Sequence, residues 1–142
     1  MPNAVARAGE ELLGWYRSLP EPARIVGTAC LGAAIGYVTY LIIFALNPLP
    51  WRAPTSWLLA FLVNVTRQHT LHRVLTFSAS TAYWPSLGRA YVMYSGTAVA
   101  TTTLNGYLTV ERGLDHNLAW LACIGVTAVI SLIFLKRYVF RT

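Results

Sequence analysis

From Ile25 to Trp51 the chain runs for 27 residues without a charged side chain. About 20 apolar residues cross the hydrocarbon core of a bilayer, so this stretch constrains the fold more than any other. A helix that is apolar all round belongs either in a large protein core or in a membrane, and 142 residues give little room for the former. Composition points the same way, with 56% hydrophobic and 11% charged residues against roughly 25% charged in a soluble domain. Mean hydropathy is +0.50. The expected fold class is all-α: a polytopic membrane protein with four transmembrane helices, at about 25–46, 55–77, 89–110 and 117–138. Residues 23–142 would form this domain, preceded by a segment over 1–22.

That first segment alternates Val5, Leu12, Leu13, Trp15 and Tyr16 with Arg7, Glu10, Glu11 and Arg17. It lacks the apolar core of a secretory signal. It reads either as an amphipathic helix on the membrane surface or as a flexible tail. Helix one then contains Gly32 and Gly36, whose spacing permits close helix packing. Four helices enclose little volume, so a homodimer or hetero-complex is in keeping with the size, and Gly32/Gly36 is a candidate contact. Cys30 and Cys123 both fall within apolar runs and suit packing better than a disulfide.

Helix two is the unusual element. Its second half, Asn64 to Phe77, holds Asn64, Arg67, Gln68, His69, His72 and Arg73, and groups of this kind are expensive in hydrocarbon. Arg67 lies roughly 18 Å beyond Thr55 at 1.5 Å per residue, well inside the bilayer. It would either snorkel to the near interface or line a cavity. At 100° per residue Asn64, Arg67 and Gln68 share one face, while Thr66, His69 and Arg73 share the opposite one. The first face, with Asn64 and Gln68 as lining residues, is the cavity candidate. In helix three, Tyr94, Thr97, Thr101 and Asn105 form a stripe suited to gluing helices together.

Loop charge sets the orientation. With both termini and the 67–89 region on one side, that side holds Arg7, Arg17, Arg24, Arg67, Arg73, Arg89, Lys136, Arg137 and Arg141, leaving Arg52 and Arg112 opposite. Cytoplasmic loops are enriched in such cations, which places both termini in the cytoplasm and the protein in the cytoplasmic membrane. The scatter of the cations between apolar runs argues against nucleic acid, which asks for one clustered basic face. A weak tandem repeat of helical hairpins is also visible, pairing Gly32 with Gly96 and Arg73-x-x-x-Phe77 with Lys136-x-x-x-Phe140.

No nucleophile elbow, phosphate-binding glycine loop or zinc-protease motif occurs, and no acid falls well inside a span, so the chain is read as a non-enzyme without a cofactor. His69 and His72 could share a metal, but structural zinc wants about four ligands, so interfacial histidines are the simpler reading and no metal site is expected. The cations suit phosphate, which guanidinium groups bind in a bidentate fashion. Arg73, Lys136 and Arg137 sit at the headgroup level and Arg67 lies deeper. Ordinary anionic headgroups and a pocket for a specific lipid phosphate are both open on these residues alone.

The helix ends His72-Arg73-Val74-Leu75-Thr76-Phe77 and Lys136-Arg137-Tyr138-Val139-Phe140 resemble those of the GtrA-like family of small bacterial and archaeal membrane proteins. The similarity runs from about Arg24 to Arg141, and departs from the family pattern at His72 and Leu75. The resemblance implies translocation of a polyprenyl-phosphate-linked monosaccharide for cell-surface glycan assembly, with Arg73 and Lys136 on the lipid phosphate. The alternative it implies is a membrane anchor or accessory subunit that recruits a polyprenyl-phosphate glycosyltransferase and transports nothing.

Overall fold

The computed structural model describes residues 3–76 and 82–138, except for the side chains at 76, 132 and 134–138. The chain forms five α-helices, and no strand occurs among the described residues: α1 Ala4–Ser18, α2 Glu21–Leu46, α3 Arg52–Leu71, α4 Tyr83–Gly106 and α5 His116–Tyr138. The segment before the first apolar run is helical. Asn3 caps α1 by accepting from the Ala6 N–H at 3.0 Å, a common solution for orphan donors at a helix start. Tyr16 then anchors α1 to α2, its hydroxyl 2.7 Å from the Arg24 carbonyl and 2.8 Å from Thr28 Oγ1.

α2 starts at Glu21, with Pro22 in its first turn, where a missing N–H costs nothing. The same reasoning explains an early α4. The polar stretch 78–88 reads as a connection, but α4 begins at Tyr83. Pro85 lies in that first turn and is tolerated there. α3 and α4 each continue into a π-helical turn, His72–Thr76 and Tyr107–Glu111. Gly113, at φ +63°, closes the second turn, and the Leu114 N–H reaches back 2.8 Å to the Leu108 carbonyl. Glycine adopts this left-handed stop without strain.

The bundle packs α2 on α3, α3 on α4 and α4 on α5, around a core of Tyr40, Trp57, Ala60, Phe61, Val65, Ala98, Trp120 and Cys123. Its polarity is turned outward-in. The largest fully buried side chains are Tyr40, Asn105, Thr28, Thr101, Cys123 and Ser56, whereas Val38, Ile42, Val92, Val99, Leu121 and Val129 are all more than half exposed. Some buried hydroxyls find partners within the bundle, as where the Trp57 indole N–H donates to Thr101 Oγ1 at 3.1 Å, while Thr102 Oγ1 has none. Among the described residues α2 alone is long and apolar enough to cross a membrane by itself, with a shorter apolar stretch over His116–Ser131. The loop after α2 is held by Arg52, which stacks on Phe44 and donates to the Phe44 and Ala45 carbonyls at 2.5 and 2.7 Å. That satisfies two of the orphan acceptors at the end of α2.

Candidate functional site

The polar half of α3 serves two different seams. On the side facing α2, Gly32 and Gly36 are buried and leave room that α3 fills with polar side chains. A Cβ on Gly32 would overlap Gln68 Oε1, and one on Gly36 would lie 2.8 Å from Asn64 Nδ2 and 3.2 Å from Arg67 NH2. At both positions the end of a neighbouring side chain fills the space a Cβ would take, so a larger residue there obliges Gln68, Asn64 or Arg67 to shift. This packing is made within the chain, so the glycine face is not free to form the homodimer contact considered from sequence. Nor do Asn64 and Gln68 line an open cavity on this face; they fill the groove.

Arg67 runs along the same groove. Its NH1 donates to Thr39 Oγ1 at 3.0 Å and its NH2 to the Gly32 carbonyl at 3.1 Å. NH2 also donates to Asn64 Oδ1. These partners bracket the midpoint of α2, so the guanidinium lies against the middle of that helix and does not snorkel to either end. Gln68 Nε2 is 3.4 Å from the Thr28 carbonyl and 2.9 Å from His72 Nε2.

The side facing α4 is a graded seam. At one end the Arg73 guanidinium lies 5.8 Å from the centre of the Tyr83 ring. Next come Thr70 with the Tyr83 hydroxyl at 2.9 Å, and His69 Nε2 with Ser86 Oγ at 3.0 Å. Thr66 Oγ1 and the Tyr91 hydroxyl follow at 2.6 Å, and that hydroxyl donates on to the Leu62 carbonyl at 2.7 Å. Beyond it the seam opens into a pocket of about 250 Å³ lined by Phe61, Leu62, Val65, Tyr94, Ala98 and Val99, among others. With its hydroxyl engaged, Tyr91 contributes ring carbon to this lining, so the pocket is almost wholly apolar. A cation, a band of hydroxyls and a hydrocarbon groove thus follow one another along one line of contact.

Arg67 and Arg73, expected to serve one phosphate as successive stops, therefore face different helices and do not form one site. His69 and His72 are likewise divided, the first bonded to Ser86 of α4 and the second to Gln68. Lys136 and Arg137 belong to the last turn of α5, but their side chains lie outside the described residues, as do Phe77 and Phe140. Of the helix-three stripe, Thr97, Thr101 and Asn105 are buried, whereas Tyr94 lines the pocket. Sequence reasoning missed Tyr83, Ser86 and Tyr91 as partners of helix two. Their spacing of three and five residues, with Tyr94 three further on, marks one face of α4 and was the available signal.

At the opposite end of the bundle, His116 stacks on Phe44 with ring centres 3.8 Å apart and lies 3.3 Å from the Tyr40 hydroxyl. Asp115 caps α5, accepting from the Asn117 N–H at 2.9 Å and the Leu118 N–H at 3.4 Å. The Asn117 N–H is the main reason the carboxyl is held below the usual carboxylate range. His116 and Asp115 are thus engaged in ring contacts and a helix terminus at this end. Compared with known proteins, the chain shows no significant match to a family model, a curated protein or a solved structure.

Proposed function

We propose that this chain is a multi-pass protein of the cytoplasmic membrane, spanning it with α2 to α5, that binds a polyprenyl-phosphate-linked sugar and passes it across. The observation that carries this reading is the graded α3–α4 seam. An amphiphile with an anionic head and a long hydrocarbon tail has the same order of chemistry: phosphate beside Arg73, sugar hydroxyls along Thr70, His69 and Ser86, tail in the groove. Along α3 the groove begins 8 residues from Arg73, at Val65, and extends to Phe61, or about 12–18 Å. That is the depth a lipid chain reaches from a headgroup within a core about 30 Å thick. The helix-end motifs around Arg73 and Lys136 support the choice of a polyprenyl phosphate.

The outward-in polarity supports the membrane embedding. α3 and α4 fall short on average hydropathy because Arg52, Asn64, Arg67, Gln68 and His69 in α3 and Arg89 and Asn105 in α4 count against them. Asn64, Gln68 and Asn105 lie between helices, whereas between the helix ends the large side chains left outside, such as Leu58, Leu62, Val63, Val92 and Val99, are aliphatic. Polar side chains hydrogen-bonded between helices are an ordinary feature of membrane bundles. The reading assigns the chain no covalent chemistry and no energy source.

Reconstitution of the purified chain in liposomes with a labelled polyprenyl-phosphate sugar tests the proposal. Protein-dependent equilibration between leaflets is expected, at least tenfold slower in Arg73→Ala, a loss of one charge-assisted phosphate contact worth ~1.5–3 kcal/mol. Ala98→Phe, which fills the groove, should weaken retention of long-chain lipid and leave a short-chain phosphate analogue unaffected. Equilibration at the protein-free rate would defeat the translocation reading.

A further inference from the structure

Arg67 sets a guanidinium against the middle of α2, and its hydrogen-bond partners are all neutral: a hydroxyl, a backbone carbonyl and a side-chain amide. Its Nε is buried without a hydrogen-bond partner. The chain has five carboxylates, at Glu10, Glu11, Glu21, Glu111 and Asp115. Glu21, in the same helix as Gly32, precedes it by 11 residues, about 16 Å along the axis. Glu10 and Glu11 are exposed on α1, and Glu111 and Asp115 lie beyond the far end of α4. Among the described residues nothing acidic comes to this charge, and the same residues of a second copy would bring no acid side chain at that depth either.

Charged groups inside a membrane pair with one another or with backbone carbonyls, and they mark binding sites and paths. Arg67 has one such carbonyl, from Gly32, and no counter-charge among the described residues. Resident headgroups are about 15 Å from the midplane of a 30 Å core, and the lipid path proposed above runs along the other seam of α3. A helix can hold a carboxylate at the midplane, because its backbone hydrogen bonds are satisfied internally. The approach is apolar and open. Val63, one turn before Arg67, and Ile35, one turn before Thr39, are 50% and 37% exposed.

We propose that Arg67 docks a transmembrane helix of a second protein that carries an Asp or Glu near its middle. This rests on the membrane embedding proposed above, and not on the lipid assigned to the α3–α4 seam. Pairing would ionise the partner's acid and give Arg67 the counter-charge that this chain lacks. It would also fix the partner in depth and rotation, as intramembrane polar contacts do.

The test uses the full chain in liposomes, labelled with a fluorescent donor, and a leucine-rich transmembrane peptide with a central Asp and an acceptor dye. The same peptide with Asn is the comparison. The Asp peptide is expected to associate about tenfold more tightly or better, as one charged hydrogen-bonded pair provides. Arg67→Gln should abolish the preference. Val63→Trp, which leaves Arg67 and its partners in place but obstructs the approach, should weaken it, so a poorly folding Arg67 variant leaves the question decidable. Equal association of the two peptides overturns the proposal, as does a preference that survives both variants. Displacement of the Asp peptide by added polyprenyl phosphate would overturn it too, by assigning Arg67 to the lipid. A chain that washes off the liposomes in alkaline carbonate would sink the membrane embedding itself, an outcome distinct from the others.

Discussion

Gly32 and Gly36 work through what they lack. Because Gln68 and Asn64 occupy the space where their Cβ atoms would be, Gly32→Ala forces Gln68 off its contacts with Thr28 and His72. Overpacking of this kind costs about 1–3 kcal/mol, and thermal unfolding in detergent should register it as a clear drop in midpoint. Gln68→Ala in the same chain should recover most of the loss, whereas additive losses would mean that the two residues do not share the space. Gly96 meets nothing within 4 Å in the interior of α4, so Gly96→Ala should not destabilise and should gain about 0.5–1 kcal/mol from the better helix former. The proposed repeat that pairs Gly32 with Gly96 thus joins a packed glycine to an open one. The spacing of Gly32 and Gly36 announces a close approach in the sequence. It does not announce that polar side chains make that approach. Likewise, the rise per residue places Arg67 at depth, but its side chain follows the hydrogen bonds offered by Gly32 and Thr39, which only the folded pair of helices brings into reach.

Among the elements, α5 has the most exposed determinant. Asp115 satisfies two N–H groups of its first turn, and these bonds favour the ionised carboxyl. A carboxyl with a lowered folded pKa stabilises the fold fully above the ordinary carboxylate range. It loses that contribution as pH falls through the range toward the folded value. Asp115→Ala should therefore lower the unfolding midpoint at neutral pH, and the gap from wild type should close on acidification below about pH 4. A gap that persisted unchanged into acid would exclude the cap as its source. Helix existence was legible from the apolar runs, since each is long enough to bury a face. Helix starts were less so. The prolines at 22 and 85 read as parts of connections, yet each lies in a first turn, as does Pro54, where its missing N–H is no loss. The polar character of 78–88 hid the fact that Tyr83 and Ser86 already belong to α4 and hydrogen-bond α3.

For the whole molecule the open contrast is between one membrane crossing and four. α2 passes as a span on its own; α3, α4 and α5 join it only if their polar groups face inward, as the burial pattern has them. The two topologies differ in where the exposed connections lie, and four single cysteines separate them. Arg7, Leu49, Ala82 and Arg112 are all exposed and sit before α2 and in the three connections that follow. Four spans require alternation: Arg7→Cys and Ala82→Cys react with a charged maleimide only after cells are permeabilised, while Leu49→Cys and Arg112→Cys react in intact cells. A single crossing at α2 puts Ala82→Cys with the other two, accessible from outside. The native thiols do not confuse the assay. Cys123 is buried, and Cys30, although exposed on α2, would face hydrocarbon that a charged reagent does not enter. Labelling of Ala82→Cys therefore decides it. Protection in intact cells places the Arg73 end of the seam at the cytoplasmic face, where a sugar lipid made inside the cell would meet it.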